Sequence, residues 1–231
     1  MVFSAEEWVA ISLSLKVAGL AVAASLPFGI AVAYLLARRD FMGKSVLNAV
    51  ISLPLILPPV VTGYLLLVAF GRKGPLGMFF ADVFGLVFSF RWTGAALAAA
   101  VMGFPLLVQA IRISMEAIDR RLEDASATLG AAPLMVFLTV TLPLSLPGIL
   151  AGTVLAFARS LGEFGATITF VSAIPGETQT LASAISSALQ DPDGEATAFR
   201  LTLLSILISL AAIFLSGQLS RFLARRLGAT S

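Results

Sequence analysis

The sequence predicts an all-α membrane protein, built as a polytopic bundle of five transmembrane helices with a sixth, shorter candidate. Hydrophobic residues make up 58% of the 231 residues and charged residues only 12%, whereas a soluble domain carries about 25% charged residues. The apolar residues are gathered into five long runs, and a helix needs ~20 such residues to cross a bilayer. We therefore expect a single transmembrane domain over residues 1–231.

The first predicted span, residues 9–37, follows a helix start signal. Ser4 and Glu7 have the spacing of a capping box, in which each side chain accepts a hydrogen bond from the backbone N–H of the other. Glu6 and Glu7 stand where a signal peptide carries basic residues, so we expect an uncleaved anchor.

The remaining apolar runs are predicted to form four further spans. The third span is rich in glycine and alanine, which suits close packing of helices. A sixth candidate, residues 180–189, is too short to cross, and we expect an interfacial or re-entrant piece on the outer side. The four further spans are residues 46–70, 93–111, 146–172 and 199–220.

Basic residues distinguish the two sides of the predicted membrane domain. Because cytoplasmic loops are enriched in Lys and Arg, the side with nine basic residues is predicted to be cytoplasmic and the side with four to be outer. The N-terminus is then outside, and the C-terminus and the central loop, residues 113–145, are inside. The four are Arg72, Lys73, Arg91 and Arg200, and the nine are Arg38, Arg39, Lys44, Arg112, Arg120, Arg121, Arg221, Arg225 and Arg226.

The second span contains three prolines, Pro54, Pro58 and Pro59. Proline interrupts the helical hydrogen bonds, and the freed carbonyl groups must find partners in protein or in a water-filled cavity. The sequence therefore predicts a kinked helix that faces the bundle interior or a pathway, with Thr62 as a pathway candidate. A packing kink without a substrate role is the alternative.

The fourth span carries two opposite charges, Arg159 and Glu163, which are four residues apart and so able to pair on one helix face. Charges at membrane depth are costly and usually face a cavity or a partner. Two interpretations stay open. The pair is part of a gate or pathway lining, with Ser160 and Thr167 as neutral donors, or it is a structural ion pair that locks two helices together.

The central loop reads as two short helices with a bend. An apolar stripe at helical spacing predicts the first helix, and Gly130 is a natural C-terminal stop. Pro133 suits the first turn of the second helix, and Pro143 and Pro147 break the chain again. The loop is thus predicted to be a compact helical element that can dock its stripe, which is formed by Ile118, Leu122, Ala125 and Leu129.

The spacing in this loop resembles the cytoplasmic loop of ABC importer permeases, whose pattern is Glu-Ala-Ala, three residues, Gly, nine residues and Ile-x-Leu-Pro. Three positions depart conservatively, with Asp for Glu, Ser for the second Ala and Val for Ile. The resemblance implies a type I ABC importer permease fold, and it implies that this loop, with Glu123, contacts a groove of an ATP-binding subunit. The matching residues are Asp124, Ala125, Ser126, Gly130, Val140, Leu142 and Pro143.

Residues 157–170 and 174–178 resemble the permease subunit of molybdate ABC importers, as do residues 25–29, 53–61 and 141–148. The resemblance implies a homodimer in the cytoplasmic (inner) membrane, two cytoplasmic ATP-binding subunits and an extracytoplasmic molybdate-binding protein. It also implies inward transport of molybdate or tungstate. We expect ATP and Mg on the partner subunit and no cofactor on this chain, because the chain lacks a P-loop sequence.

Two alternatives remain at this point. Sulfate and thiosulfate permeases share the core at residues 161–165, although residues 165–172 favour molybdate. An intramembrane enzyme would belong to another class, but the chain has neither His nor Cys for metal or thiol chemistry. A Ser–Lys dyad would need Lys16, Lys44 or Lys73, and the last two lie in predicted loops. We expect membrane lipid around the chain, no nucleic acid partner and no metal site.

Overall fold

The computed structural model describes residues 4–226, without the side chains of residues 216 and 219–226. No strand occurs in this range, which confirms the all-α prediction. The helices are α1 (Ala5–Arg38), α2 (Lys44–Ile56), α3 (Pro59–Phe70), α4 (Pro75–Phe84), α5 (Trp92–Glu116), α6 (Arg120–Thr128), α7 (Pro133–Val136), α8 (Leu142–Leu144), α9 (Leu146–Leu161), α10 (Gly165–Val171), α11 (Leu181–Ala188) and α12 (Glu195–Arg226), with a π-helical segment at Phe137–Thr141 between α7 and α8.

Three of the described helices, α1, α5 and α12, are long and apolar enough to cross a membrane. Two bent pairs of helices pass the same test of length and composition when each pair is taken as one segment. The chain turns by 114° between α2 and α3, and by 67° between Pro133–Leu144 and α9. The described residues therefore provide up to five membrane crossings by length and composition. The side chains of Arg221, Arg225 and Arg226, on which the orientation was partly based, lie outside the part of the chain that the structure describes.

Two of the predicted spans are not single helices. The span expected at residues 46–70 is divided into α2 and α3. The span expected at residues 146–172 is broken after Leu161, and α10 begins only at Gly165. Gly162 caps α9 with a non-helical backbone, and Phe164 has φ −127° and ψ −53°, so the helix does not continue. The expected loop at residues 113–145 begins inside α5, and helical segments occur in both of its halves, as the sequence predicts. The loop after α3, which was expected on the outer side, contains α4, a helix that was not predicted.

The core forms where α5 packs between α1 and α9. Small side chains on α5, among them Ala95, Ala98 and Ala99, are buried in one cluster with Phe170 of α10. A Cβ atom on Gly148 of α9 would clash with Ser114 of α5, so these two helices approach at backbone distance. The glycine and alanine content of the third span therefore serves helix packing.

One end of the bundle is closed by polar contacts. The capping box predicted at Ser4 and Glu7 is confirmed, because both of its hydrogen bonds are present. The Glu7 side chain is buried and pairs with Arg200 of α12, with 2.8 Å between Oε1 and Nη2. Ser14 of α1 accepts a 2.6 Å hydrogen bond from the backbone N–H of Leu181. These contacts hold α1, α11 and α12 together.

Candidate functional site

The central loop forms a short helix with defined ends. Asp119 precedes α6 and accepts a 3.0 Å hydrogen bond from the backbone N–H of Arg121. At the other end Gly130 has φ +87°, its N–H donates to the carbonyl of Ala127, and the Ala131 N–H donates to the carbonyl of Ser126. These two bonds form a Schellman motif. The stop at Gly130 and the helix start at Pro133 are therefore where the sequence predicts them.

The outward face of this element is apolar. Within the described range no residue of α6 is buried, and Leu122 and Leu129 are 51% and 90% exposed. Asp124 and Ala125 are exposed beside them, and Ser126 is half-buried. We call the apolar side chains of this surface, together with the exposed apolar side chains that follow on α7 and the π-helical segment, the docking face. Its apolar members are Leu122, Leu129, Leu134, Met135 and Leu138.

Glu123 differs from its neighbours because its carboxylate points into the protein. Nε of Arg38, at the end of α1, lies 3.0 Å from Oε1 and 2.9 Å from Oε2. The hydroxyl of Thr141, which is buried in the π-helical segment, donates to Oε1 at 2.6 Å. Arg38 also donates to the backbone carbonyl of Ile118 at 3.3 Å. Glu123 was expected to contact a partner subunit, but its carboxylate is occupied within this chain.

Leu142 and Pro143, the last residues of the predicted motif, are half-buried in α8. They are followed by the 67° turn into α9. The sequence indicates no role for Arg38 beyond its charge and none for Thr141. No local signal indicates this contact, because Arg38 is 85 residues from Glu123 in the chain.

The second candidate site lies where α3 packs against α10. Pro54 is inside α2, whereas Pro58 and Pro59 lie at the 114° turn. A Cβ atom on Gly63 would be 2.6 Å from the backbone oxygen of Ala166, and one on Gly165 would be 2.7 Å from Cβ of Pro59. The proline-rich stretch and the glycines of the fourth span are thus brought into direct contact.

Arg159 and Glu163 form the expected ion pair, with 2.7 Å between Nη1 and Oε2. The pair does not lie on one continuous helix face, because α9 ends at Leu161. The Glu163 side chain is 2% exposed, and its Oε1 accepts a 2.8 Å hydrogen bond from the N–H of Ala166. Glu163 therefore joins the last turn of α9 to the first turn of α10, and the two charges neutralise each other.

The three neutral donors named from the sequence have different surroundings. Ser160 is buried and donates to the backbone carbonyl of Ala99 on α5 at 3.3 Å, so its hydroxyl is engaged in packing. Thr167 is buried on α10. Thr62 is buried on α3, and its Oγ1 has no hydrogen-bond partner among the described residues. Thr62 is thus the one of these three whose unpaired hydroxyl adjoins the contact between α3 and α10.

Comparison with known proteins gives a family and close relatives. Residues 25–228 match the family described as the inner membrane component of binding-protein-dependent transport systems. The molybdenum transport system permease protein ModB of Escherichia coli K12 is 57% identical over 228 residues, covering 99% of this chain and 100% of the relative. ModB of Haemophilus influenzae is 58% identical over 219 residues, covering 95% and 96%. The sulfate transport system permease protein CysW of Synechococcus elongatus is 39% identical over 172 residues, covering 74% and 60%.

Solved structures share the fold at low sequence identity. A bacterial ABC transporter that imports the acidic polysaccharide alginate aligns with a TM-score of 0.73 and 15% identity, covering 95% of this chain and 80% of that chain. The inward-facing MetNI methionine ABC transporter aligns with a TM-score of 0.64 and 15% identity, covering 94% of both chains. These similarities show that the chain has the fold of an ABC importer permease.

Proposed function

Because this chain belongs to the family of inner membrane components of binding-protein-dependent transport systems, we propose that it is the permease subunit of an ATP-driven ABC importer for molybdate. The observation that carries the proposal is the identity above 50% over almost the full length to two molybdenum permeases. The chain is a multi-pass protein of the inner membrane and acts as a transport subunit. The sulfate alternative is weaker, because the sulfate permease is less similar over a smaller part of the chain.

We propose that the docking face receives a cytoplasmic ATP-binding subunit. An exposed apolar patch on a soluble surface usually marks an interaction site. The patch is presented by a short, well-capped helix, and Asp124 adds a charge at its edge. ATP and Mg would then bind to the partner, and the closure of two such partners would move α6 in each copy of this chain.

The pathway requires a second copy of this chain. Up to five crossings are few for a closed channel, and a two-fold axis would place α3 and α10 of both copies around one central path. A pathway for a dianion needs weak, wet contacts rather than tight binding, since tight binding prevents release. The neutralised Arg159–Glu163 pair and the hydroxyl of Thr62 suit that requirement, whereas selection of the anion belongs to an extracytoplasmic molybdate-binding protein.

The proposed orientation follows from the positive-inside rule, with the N-terminus outside and the docking face inside. The Lys44 ammonium, which donates to Asp40 at 2.8 Å beside the predicted inner surface, holds the pKa of that exposed carboxyl below its ordinary range. Lys44, one of the basic residues near the connection between α1 and α2, is therefore already paired with an acidic residue. In this orientation, the ATP that drives uptake is supplied on the side of the membrane that carries α6.

The proposal is tested by ATP-driven uptake of labelled molybdate into proteoliposomes that contain this chain, its ATP-binding subunit and its binding protein. We expect uptake that excess tungstate blocks and excess sulfate does not, because the two molybdenum permeases are more similar to this chain than the sulfate permease is. Uptake of sulfate in place of molybdate would show that the substrate is sulfate. Uptake of neither anion would contradict the proposal.

Replacement of Leu129 by glutamate tests the docking face. Leu129 is 90% exposed, so the substitution should change the free energy of unfolding by no more than about 0.5 kcal/mol. A buried charge in the subunit contact should reduce co-purification of the ATP-binding subunit by about tenfold or more. The measurement is the amount of that subunit retained on the tagged permease.

The matched control is Ala127→Glu, which places the same charge on the opposite, exposed side of the same helix. We expect this variant to retain the ATP-binding subunit within about twofold, because a surface substitution away from the contact has little effect. Equal retention by both variants would show that the apolar stripe does not form the contact.

A further inference from the structure

The anchoring of α6 to the rest of the protein depends on few contacts. The helix has nine residues, and within the described range it buries none of them. Helices shorter than about 12 residues are marginal in water unless tertiary contacts support them. The caps at Asp119 and Gly130 define its ends but do not connect it to the bundle. A helix that transmits motion must nevertheless be held in a fixed position relative to the spans.

Glu123 provides such a connection. Its carboxylate is bound from two directions, by Arg38 of α1 and by Thr141 of the π-helical segment. The side chains of Arg38 and Glu123 are only 8% and 15% exposed. At this burial an ion pair is sensitive to the loss of either partner, because the remaining charge is left uncompensated. The same Arg38 holds the carbonyl of Ile118, just before α6 begins.

The contact with Thr141 leads into the transmembrane region. Thr141 is the last residue of the π-helical segment and is 1% exposed. The π-helical geometry is rare and is often found at functional sites. From Thr141 the chain continues through α8 and the 67° turn into α9, which ends beside Arg159 and Glu163. Glu123 is therefore connected to α9 by one hydrogen bond and a short stretch of helix.

We propose that Glu123 is a positioning residue for transport, which couples movement of α6 to α9 through Thr141 and to α1 through Arg38. This inference rests on the proposed function, since it assumes that α6 receives the ATP-binding subunit. Glu123 makes no contact with that subunit in this scheme. Its carboxylate converts a displacement of the docking face into a displacement of the spans.

The test removes the hydroxyl of Thr141 while keeping the shape of the side chain. Thr141→Val deletes the 2.6 Å bond to Glu123, and Thr141→Ser keeps a hydroxyl at the same place. Glu123→Gln removes the charge but leaves an amide oxygen for Thr141. Thr139→Val is the matched control, because Thr139 lies in the same π-helical segment, is exposed, and donates to the carbonyl of Met135 instead.

Each variant is studied in the complete complex in proteoliposomes, by measuring labelled molybdate taken up per ATP hydrolysed and the amount of ATP-binding subunit retained. We expect Thr141→Val to keep the subunit and the ATPase activity but to lower uptake per ATP by about tenfold, the factor that a hydrogen bond to a charged group supports. Glu123→Gln also leaves the buried Arg38 charge uncompensated, so it should lower uptake per ATP and in addition reduce retention of the subunit. Thr141→Ser and Thr139→Val should stay within about twofold of the unmodified complex.

The outcomes separate the coupling role from a merely structural one. A structural role would lower retention, ATPase activity and uptake together and leave uptake per ATP unchanged, which would overturn the proposal. An unchanged ratio in Thr141→Val with normal assembly would overturn it as well. If the unmodified complex carries neither molybdate nor tungstate, the proposed function fails. If the unmodified complex transports molybdate and the variants behave like it, the proposed function stands and the proposed role of Glu123 fails.

Discussion

Replacement of Glu163 by alanine is expected to reduce molybdate uptake by more than about 100-fold. The substitution leaves the Arg159 guanidinium without its carboxylate and the N–H of Ala166 without its acceptor. Removing one partner of a buried ion pair costs about 3–5 kcal/mol, and each 1.36 kcal/mol corresponds to a factor of about ten. The connection between α9 and α10 should loosen, and uptake in proteoliposomes measures the result.

A double variant, Arg159→Met with Glu163→Gln, separates the two interpretations of the pair. It leaves no uncompensated charge and keeps an oxygen for the N–H of Ala166, so the thermal stability of the purified permease should recover. Recovery of stability together with uptake would assign the pair a structural role, and recovery of stability alone would assign it to the pathway. Normal uptake by the Glu163→Ala variant would contradict both interpretations.

Replacement of Gly63 by leucine is expected to reduce uptake by about tenfold or more. Its Cβ atom would be 2.6 Å from the backbone oxygen and 2.9 Å from Cα of Ala166, and backbone atoms cannot move aside as a flexible side chain can. Overpacking of a core costs about 1–3 kcal/mol even where side chains can adjust. The two helices α3 and α10 should be forced apart at the candidate pathway.

Gly19→Leu is the control for this prediction. Gly19 lies in α1, and no atom among the described residues would come within 4 Å of an added Cβ. Leucine is also a better helix former than glycine, by up to about 1 kcal/mol. Uptake and thermal stability should therefore be retained in this variant. A Gly63→Leu permease as active and stable as Gly19→Leu would show that α3 and α10 do not need their close contact.

The sequence predicts well those features that depend on local chemistry. Hydropathy alone indicates the long apolar helices, and the capping rules place Ser4 and Gly130 at the ends where the structure has them. Arg159 and Glu163 also pair as their short separation predicts, although the helix that was expected to carry both ends at Leu161. Each of these features needs only neighbours within one or two helical turns.

Proline content was a less complete guide to helix breaks. Pro27 and Pro105 lie inside continuous helices, α1 and α5, whereas the chain turns by 114° at Pro58 and Pro59. Two consecutive prolines push the residue before each of them into extended backbone, and Leu57 and Pro58 have ψ 144° and 135°. A single proline restricts one residue, and neighbouring helices then keep the helix intact.

Contacts between distant parts of the chain were beyond sequence reasoning. The partners Arg38 and Glu123 are 85 residues apart, and Glu7 and Arg200 are 193 residues apart. In the sequence each appears as an ordinary charge near a span end. Their pairing depends on which helices pack together, and one chain without aligned relatives carries no periodic signal for that arrangement.

The position of these two ion pairs relates the protein to the thickness of its membrane. Glu7 and Arg38 are near opposite ends of α1, about 46 Å apart along the helix axis. A bilayer measures ~40–45 Å across when its headgroup layers are included. Helix α1 is therefore long enough to place the pairs with Arg200 and Glu123 at the two headgroup layers when it crosses upright. In a thinner bilayer α1 must tilt, and because both ends are tied, the tilt is passed to α12 on one surface and to α6 on the other.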